Sequence, residues 1–127
     1  MRIFKNKAFH RWAVELKMSD SALVKAVQEI EQGLYEANLG GTIYKKRVAI
    51  NNRGKSGGVR TLIAFKLRDK AFFIYGFAKN TRDNITTKEE VALKALAKVY
   101  FNYDEKQLHN AVKIGELIEV SYEKIYS

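Results

Sequence analysis

The spacing of apolar residues changes period twice along this chain, and that limits the folds open to it. From Asn6 to Lys17, Phe9, Trp12, Ala13 and Leu16 recur at helical spacing; Leu23, Val27, Ile30 and Leu34 form a second such stripe. The Ser19-Asp20-Ser21 cluster supplies an N-cap for this second helix, and Gly33 a stop. So short a turn predicts a helical hairpin, with Met1–Phe4 as a short strand before it. From Ile43 to Lys79 the period falls to two. Ile43–Ile50, Val59–Lys66 and Ala71–Lys79 read as strands of an antiparallel meander, and Arg68-Asp69-Lys70 makes the second connection. In the first, Tyr44, Val48 and Ile50 share one face, interrupted by Lys46, while Lys45 and Arg47 share the other. Helical spacing then returns. Thr87 and Glu90 have the separation of a capping box, and Val91, Leu93, Leu96, Val99 and Tyr100 follow. A further helix is expected from Asp104 to Gly115, with Leu117–Val120 as an edge strand. The expected class is α+β, with helices packed on one antiparallel sheet.

A chain of 127 residues with 46% hydrophobic and 29% charged residues is expected to form one domain, with a core that needs no metal or disulfide. It contains no cysteine, which excludes thiolate metal sites, disulfide scaffolds and cysteine catalysis. No apolar run approaches the roughly 20 residues of a spanning helix, and the first residues lack the apolar run of a signal peptide. A cytoplasmic protein without membrane contact is expected.

The net charge is +9, and its distribution is uneven. Between Tyr44 and Arg82 there are 11 basic residues and one acid, Asp69, whereas the rest of the chain holds 12 basic and 13 acidic residues. One block thus carries the whole excess, on strands and adjoining loops that can fix cations in place. Such one-sidedness suits a polyanion, nucleic acid foremost.

Several motifs within and around the block have plainer readings. Gly54-Lys55-Ser56 resembles the end of a nucleotide-binding loop, but position 49 is Ala49 and the segment joins two strands. Its glycines suit a hairpin loop, or a backbone that approaches phosphate with Lys55 as a point charge. His10 and His109 stand far from the block, and nothing in the spacing brings them together. With carboxylates almost absent from the meander, a two-metal nuclease is a poor fit. Phe72, Phe73, Tyr75 and Phe77 read as sheet core, and Tyr44 can stack or pack. Lys45, Arg47, Arg60, Lys79 and Arg82 are the cations that a meander can gather on one surface.

Ile43-Tyr44-Lys45-Lys46-Arg47, the Gly54–Thr61 loop and Ala71–Ile85, with its Lys-Ser-Gly-Gly and Tyr-Gly-Phe-Ala-Lys-Asn runs, resemble the RelE/HigB-type toxins of bacterial type II toxin–antitoxin modules, closest to the HigB-like subgroup. The resemblance covers about residues 1–120, leaving 121–127 as a C-terminal tail. It implies a RelE-like fold, a twisted antiparallel sheet with an N-terminal helical hairpin and C-terminal helices. It implies a metal-independent and cofactor-free mRNA endoribonuclease, commonly ribosome-dependent, with mRNA and the ribosome as partners. It further implies a cognate antitoxin, often a HigA-like helix-turn-helix protein, through which alone DNA would be contacted. On the family pattern Lys45, Arg47, Arg60, Lys79 and Arg82 are the catalytic candidates; Lys46, Arg53, Lys55 and Asn80 would bind RNA. The downstream tyrosine of the RelE branch has no counterpart, since Thr86 and Thr87 stand there, and Asn80 replaces an arginine. The other reading of the residues is a non-catalytic RNA- or protein-binding member of this fold, for example a gyrase inhibitor.

Overall fold

The structure, a computed structural model, describes residues 1–50 and 58–120; Arg53, Lys55 and the tail 121–127 lie outside the described residues. The elements run β1 (Arg2–Asn6), α1 (Lys7–Glu15), α2 (Asp20–Glu31), β2 (Ala37–Gly40), β3 (Ile43–Val48), β4 (Val59–Phe65), β5 (Lys70–Ala78), α3 (Thr87–Phe101), α4 (Glu105–Lys113) and β6 (Leu117–Val120). The expected α+β class is what the chain adopts.

The six strands form one sheet in the order β2-β3-β4-β5-β1-β6. The β3–β4–β5 meander is antiparallel, as expected. The sheet as a whole is mixed, because β1 lies parallel to β5, with Arg2 opposite Lys70 and Lys5 opposite Phe73. Alternation within a strand carries no mark of its neighbour's direction, so the parallel pair had no local signature. β2 was also unforeseen. Its Ala-Asn-Leu-Gly sequence has little strand preference. It forms by pairing with β3 across an irregular register between Asn38 and Gly40, where Asn38 Oδ1 accepts from Gly40 N at 3.0 Å.

Helices cover both faces. Beneath α1 and α2, Phe9 and Val27 pack with Ile3, Ile63 and Phe73. Beneath α3 and α4, Tyr100 and Leu108 pack with Phe4, Leu62 and Phe72. Burial on both faces explains why every residue of β4 is buried. Polar caps start each helix: Asn6, Ser19, Thr86 and Asp104. The α3 box is formed by Thr86 and Glu89, one residue earlier than the Thr87–Glu90 pair expected from spacing; two adjacent threonines each have an acid three residues on.

A bulge in β5 decides what the sheet presents. Leu62 is opposite Tyr75, but Ile63 is opposite Phe73, so Ile74 is the extra residue. Phe73, Tyr75 and Phe77 alternate in sequence and would share a face in a regular strand. The bulge shifts the parity, leaving Phe73 under α1 and carrying Tyr75 to the α3 side, with Phe77 two residues on. Asn6 holds this irregularity: its Oδ1 caps α1 through Phe9 N at 2.8 Å, and its Nδ2 donates to Ile74 O at 3.1 Å. Gly76 then faces α1, where an added Cβ would lie 2.1 Å from Trp12 Cζ3. Only a residue without a side chain lets the indole pack there.

Candidate functional site

The register of β3, β4 and β5 builds the site in rows. Ile43, Leu62 and Ala64 face α3 and α4, and by alternation Lys45, Arg47 and Arg60 share that face. Arg47 is the Cα partner of Arg60, and Arg60 of Phe77. Lys45, Leu62 and Tyr75 form the adjacent row. Three of the five catalytic candidates therefore occupy neighbouring positions on two paired strands. Arg47 is exposed, Lys45 is half-buried, and Arg60 is only 8% exposed.

Like charges directly opposite in an antiparallel pair repel. A carboxylate from outside the basic block offsets this: Glu36 Oε2 lies 2.7 Å from Arg60 Nε. Glu36 precedes β2, and its amide donates to Lys45 O at 2.9 Å.

Arg82 approaches from the loop after β5. Its guanidinium carbon lies 5.6 Å from the Phe77 ring centroid and 6.0 Å from that of Tyr75. Nε donates to Asn84 O at 3.0 Å, and Nη1 donates to Tyr75 Oη and Glu89 Oε2, both at 3.1 Å. Nη2 donates to Glu89 Oε1. The pairing holds the Glu89 carboxyl down at about 2, mainly through the Arg82 hydrogen bond and then through Thr86. It raises Arg82 in turn. Since Glu89 Oε1 also accepts from Thr86 N at 2.8 Å, one carboxylate ties Arg82 to the start of α3.

The remaining candidates are placed differently. Lys79 and Asn80 are exposed in the turn leaving β5, next to the row of Val59 and Ala78. Lys46 points to the opposite face, where its Nζ meets Glu29 of α2 at 3.0 Å and its side chain is only 12% exposed. That pair explains the lysine interrupting the apolar row of β3, and it separates Lys46 from Lys45 and Arg47. A groove of about 620 Å³ between α2 and the end of β3 is bordered by Lys25, Lys46 and Arg47, so Arg47 stands where groove and cationic face meet. Among the described residues no carboxylate pairs with Lys45, Arg47 or Lys79. His10 on α1 and His109 on α4 lie on opposite sides of the sheet. No cluster of three or more His, Asp or Glu among the described residues is placed to hold a metal ion.

Sequence reasoning missed Glu36 and Glu89, which lie outside the basic block, and the part taken by Tyr75 and Phe77. For Glu89 a signal existed in the Thr86-x-x-Glu89 spacing. For Glu36 there was none without β2.

The family described as the RelE toxin of the RelE/RelB toxin–antitoxin system matches residues 1–120. The chain belongs to the RelE toxin family. As a RelE-family toxin it has a cognate antitoxin as its partner. None of the curated proteins matches the chain. No helix among the described residues of this RelE-family toxin is long and apolar enough to cross a membrane.

Proposed function

We propose that this RelE-family toxin is a metal-independent mRNA endoribonuclease of the HigB-like type, acting on ribosome-bound mRNA in the cytoplasm and silenced by a helix-turn-helix, HigA-like antitoxin. The observation that carries the reading is the row Arg47–Arg60–Phe77, with Lys45 beside it and Arg82 over the Phe77 ring. It is a cationic surface whose buried ring, Phe77, backs the Arg82 guanidinium, an arrangement suited to holding an RNA strand by its phosphates.

The reaction needs little beyond positioning and charge. The ribose 2′-OH attacks the adjacent phosphorus, giving a 2′,3′-cyclic phosphate and a free 5′-OH. The nucleophile belongs to the substrate, so orientation supplies much of the acceleration. Negative charge grows on the phosphoryl oxygens, where Arg60 offers fixed donors held in register by β4. Lys45 and Arg47 orient the phosphate, and Lys79 with Arg82 serves the leaving oxygen. Asn80, Arg53 and Lys55 add contacts to the RNA, and Lys46 contributes from the groove side.

The test is 5′-end mapping of mRNA after brief induction of the toxin, with Arg60→Ala as control. In-frame new ends that vanish in the variant are expected. New ends without frame would point to cleavage of free RNA. Growth arrest without new ends would contradict nuclease action and favour the non-catalytic or gyrase-directed alternative.

A further inference from the structure

Glu36 lies on the outer side of β3, bonded through its amide to Lys45 O, whereas Arg60 stands on β4 on the inner side. The Arg60 side chain projects from the face that carries Lys45 and Arg47. To reach Arg60 Nε at 2.7 Å, the Glu36 side chain must cross β3 over that same face. A carboxylate is thus brought onto the face that carries Lys45, Arg47 and Arg60, fixed in direction by its ion pair with Arg60, with 36% of its side chain still open to solvent.

This placement supplies what a purely cationic site lacks. An ammonium or guanidinium must first lose a proton before it can accept one, whereas a carboxylate kept ionised by an arginine stands ready to accept one. We propose that Glu36 is the general base that takes the proton of the attacking 2′-OH. The inference rests on the endoribonuclease reading above. In the step, the O2′–phosphorus bond forms as the 2′ proton passes to Glu36, and the phosphorus–O5′ bond breaks as the Lys79 ammonium gives a proton to O5′. Solvent then returns a proton to Lys79 and removes one from Glu36, so no co-reactant is consumed. Arg60 holds the carboxylate through Nε while its terminal nitrogens face the phosphoryl charge.

The test is single-turnover cleavage of an mRNA on programmed ribosomes, followed from acid to neutral pH, for the wild type, Glu36→Gln and Glu36→Asp. Affinity is measured alongside on an mRNA with a 2′-deoxy scissile nucleotide. Wild-type cleavage should fall toward acid as the base protonates. Glu36→Gln should lose about 10²–10⁴-fold in rate and lose that acid limb, with unchanged affinity. Glu36→Asp should keep the limb at a reduced rate. Cleavage by Glu36→Gln within about threefold of wild type would overturn the proposal, being far below the usual contribution of a general base. So would a slower Glu36→Gln that keeps the acid limb, which marks Glu36 as a positioning residue for Arg60. Cleavage by the wild type in either case leaves the nuclease reading standing; a wild type that cuts no RNA overturns both.

Discussion

Arg47 and Arg60 face each other as Cα partners across β3 and β4. Two guanidinium groups in cross-strand register are an unfavourable arrangement for a sheet, and one of these is buried. The fold tolerates the pair because Glu36 reaches Arg60 from beyond β3. The relation predicts that stability and function oppose each other here. Arg47→Thr should raise the urea unfolding free energy by about 0.2–1 kcal/mol, the size of an opposed cross-strand pair, while lowering RNA cleavage. Equal or lower stability would show that the repulsion is already screened.

The β5 bulge hangs on Asn6. Asn6→Ala removes both the α1 cap and the bond to Ile74 O, and should destabilise by about 2 kcal/mol. Asn6→Ser keeps a capping oxygen but is too short to reach the bulge, and should lose about 1 kcal/mol. Chemical denaturation of both variants separates the two bonds. If the serine variant matches wild type, the bulge needs no support from Asn6.

Gly76 and Trp12 form the contact that seats α1 against β5. Gly76→Ala forces the indole away and should cost about 1–3 kcal/mol by overpacking. Trp12 is the sole tryptophan, so its emission reports the displacement directly. An unshifted spectrum with unchanged stability would contradict the packing.

The helices, the meander and the sharing of a face by Lys45 and Arg47 follow from spacing and caps, which are local. The bulge, the parallel β1–β5 pair and β2 depend on partners distant in the chain. Glu36 reaches the site only because β2 pairs with β3, and Tyr75 and Phe77 face the cations only because the bulge shifts them. Charge counting along the chain found a block almost free of acids; the fold then brings Glu29, Glu36 and Glu89 to Lys46, Arg60 and Arg82.

The Arg82–Glu89 pair makes a prediction about acid. The folded-state carboxyl of Glu89 lies at about 2, below its ordinary 4.5. A depressed carboxyl stabilises the fold above the unfolded value, and that stabilisation is lost as pH falls from 4.5 toward about 2. Glu89→Gln keeps a capping side chain at this position but removes the charge. Its unfolding free energy should change less across that window than wild type's, and carboxyl NMR titration should assign the lowest glutamate to Glu89. A Glu89 titrating near 4.5 would show that Arg82 is not held as described.

The face of Lys45, Arg47 and Arg60 is proposed to cut RNA through the substrate's own 2′-OH. The chemistry of the cut ends tests this most directly. A 2′,3′-cyclic phosphate on the upstream fragment, a 5′-OH on the downstream fragment, and no cleavage when the scissile nucleotide is 2′-deoxy are expected. A 5′-phosphate on the downstream fragment, or cutting of the 2′-deoxy substrate, would contradict it.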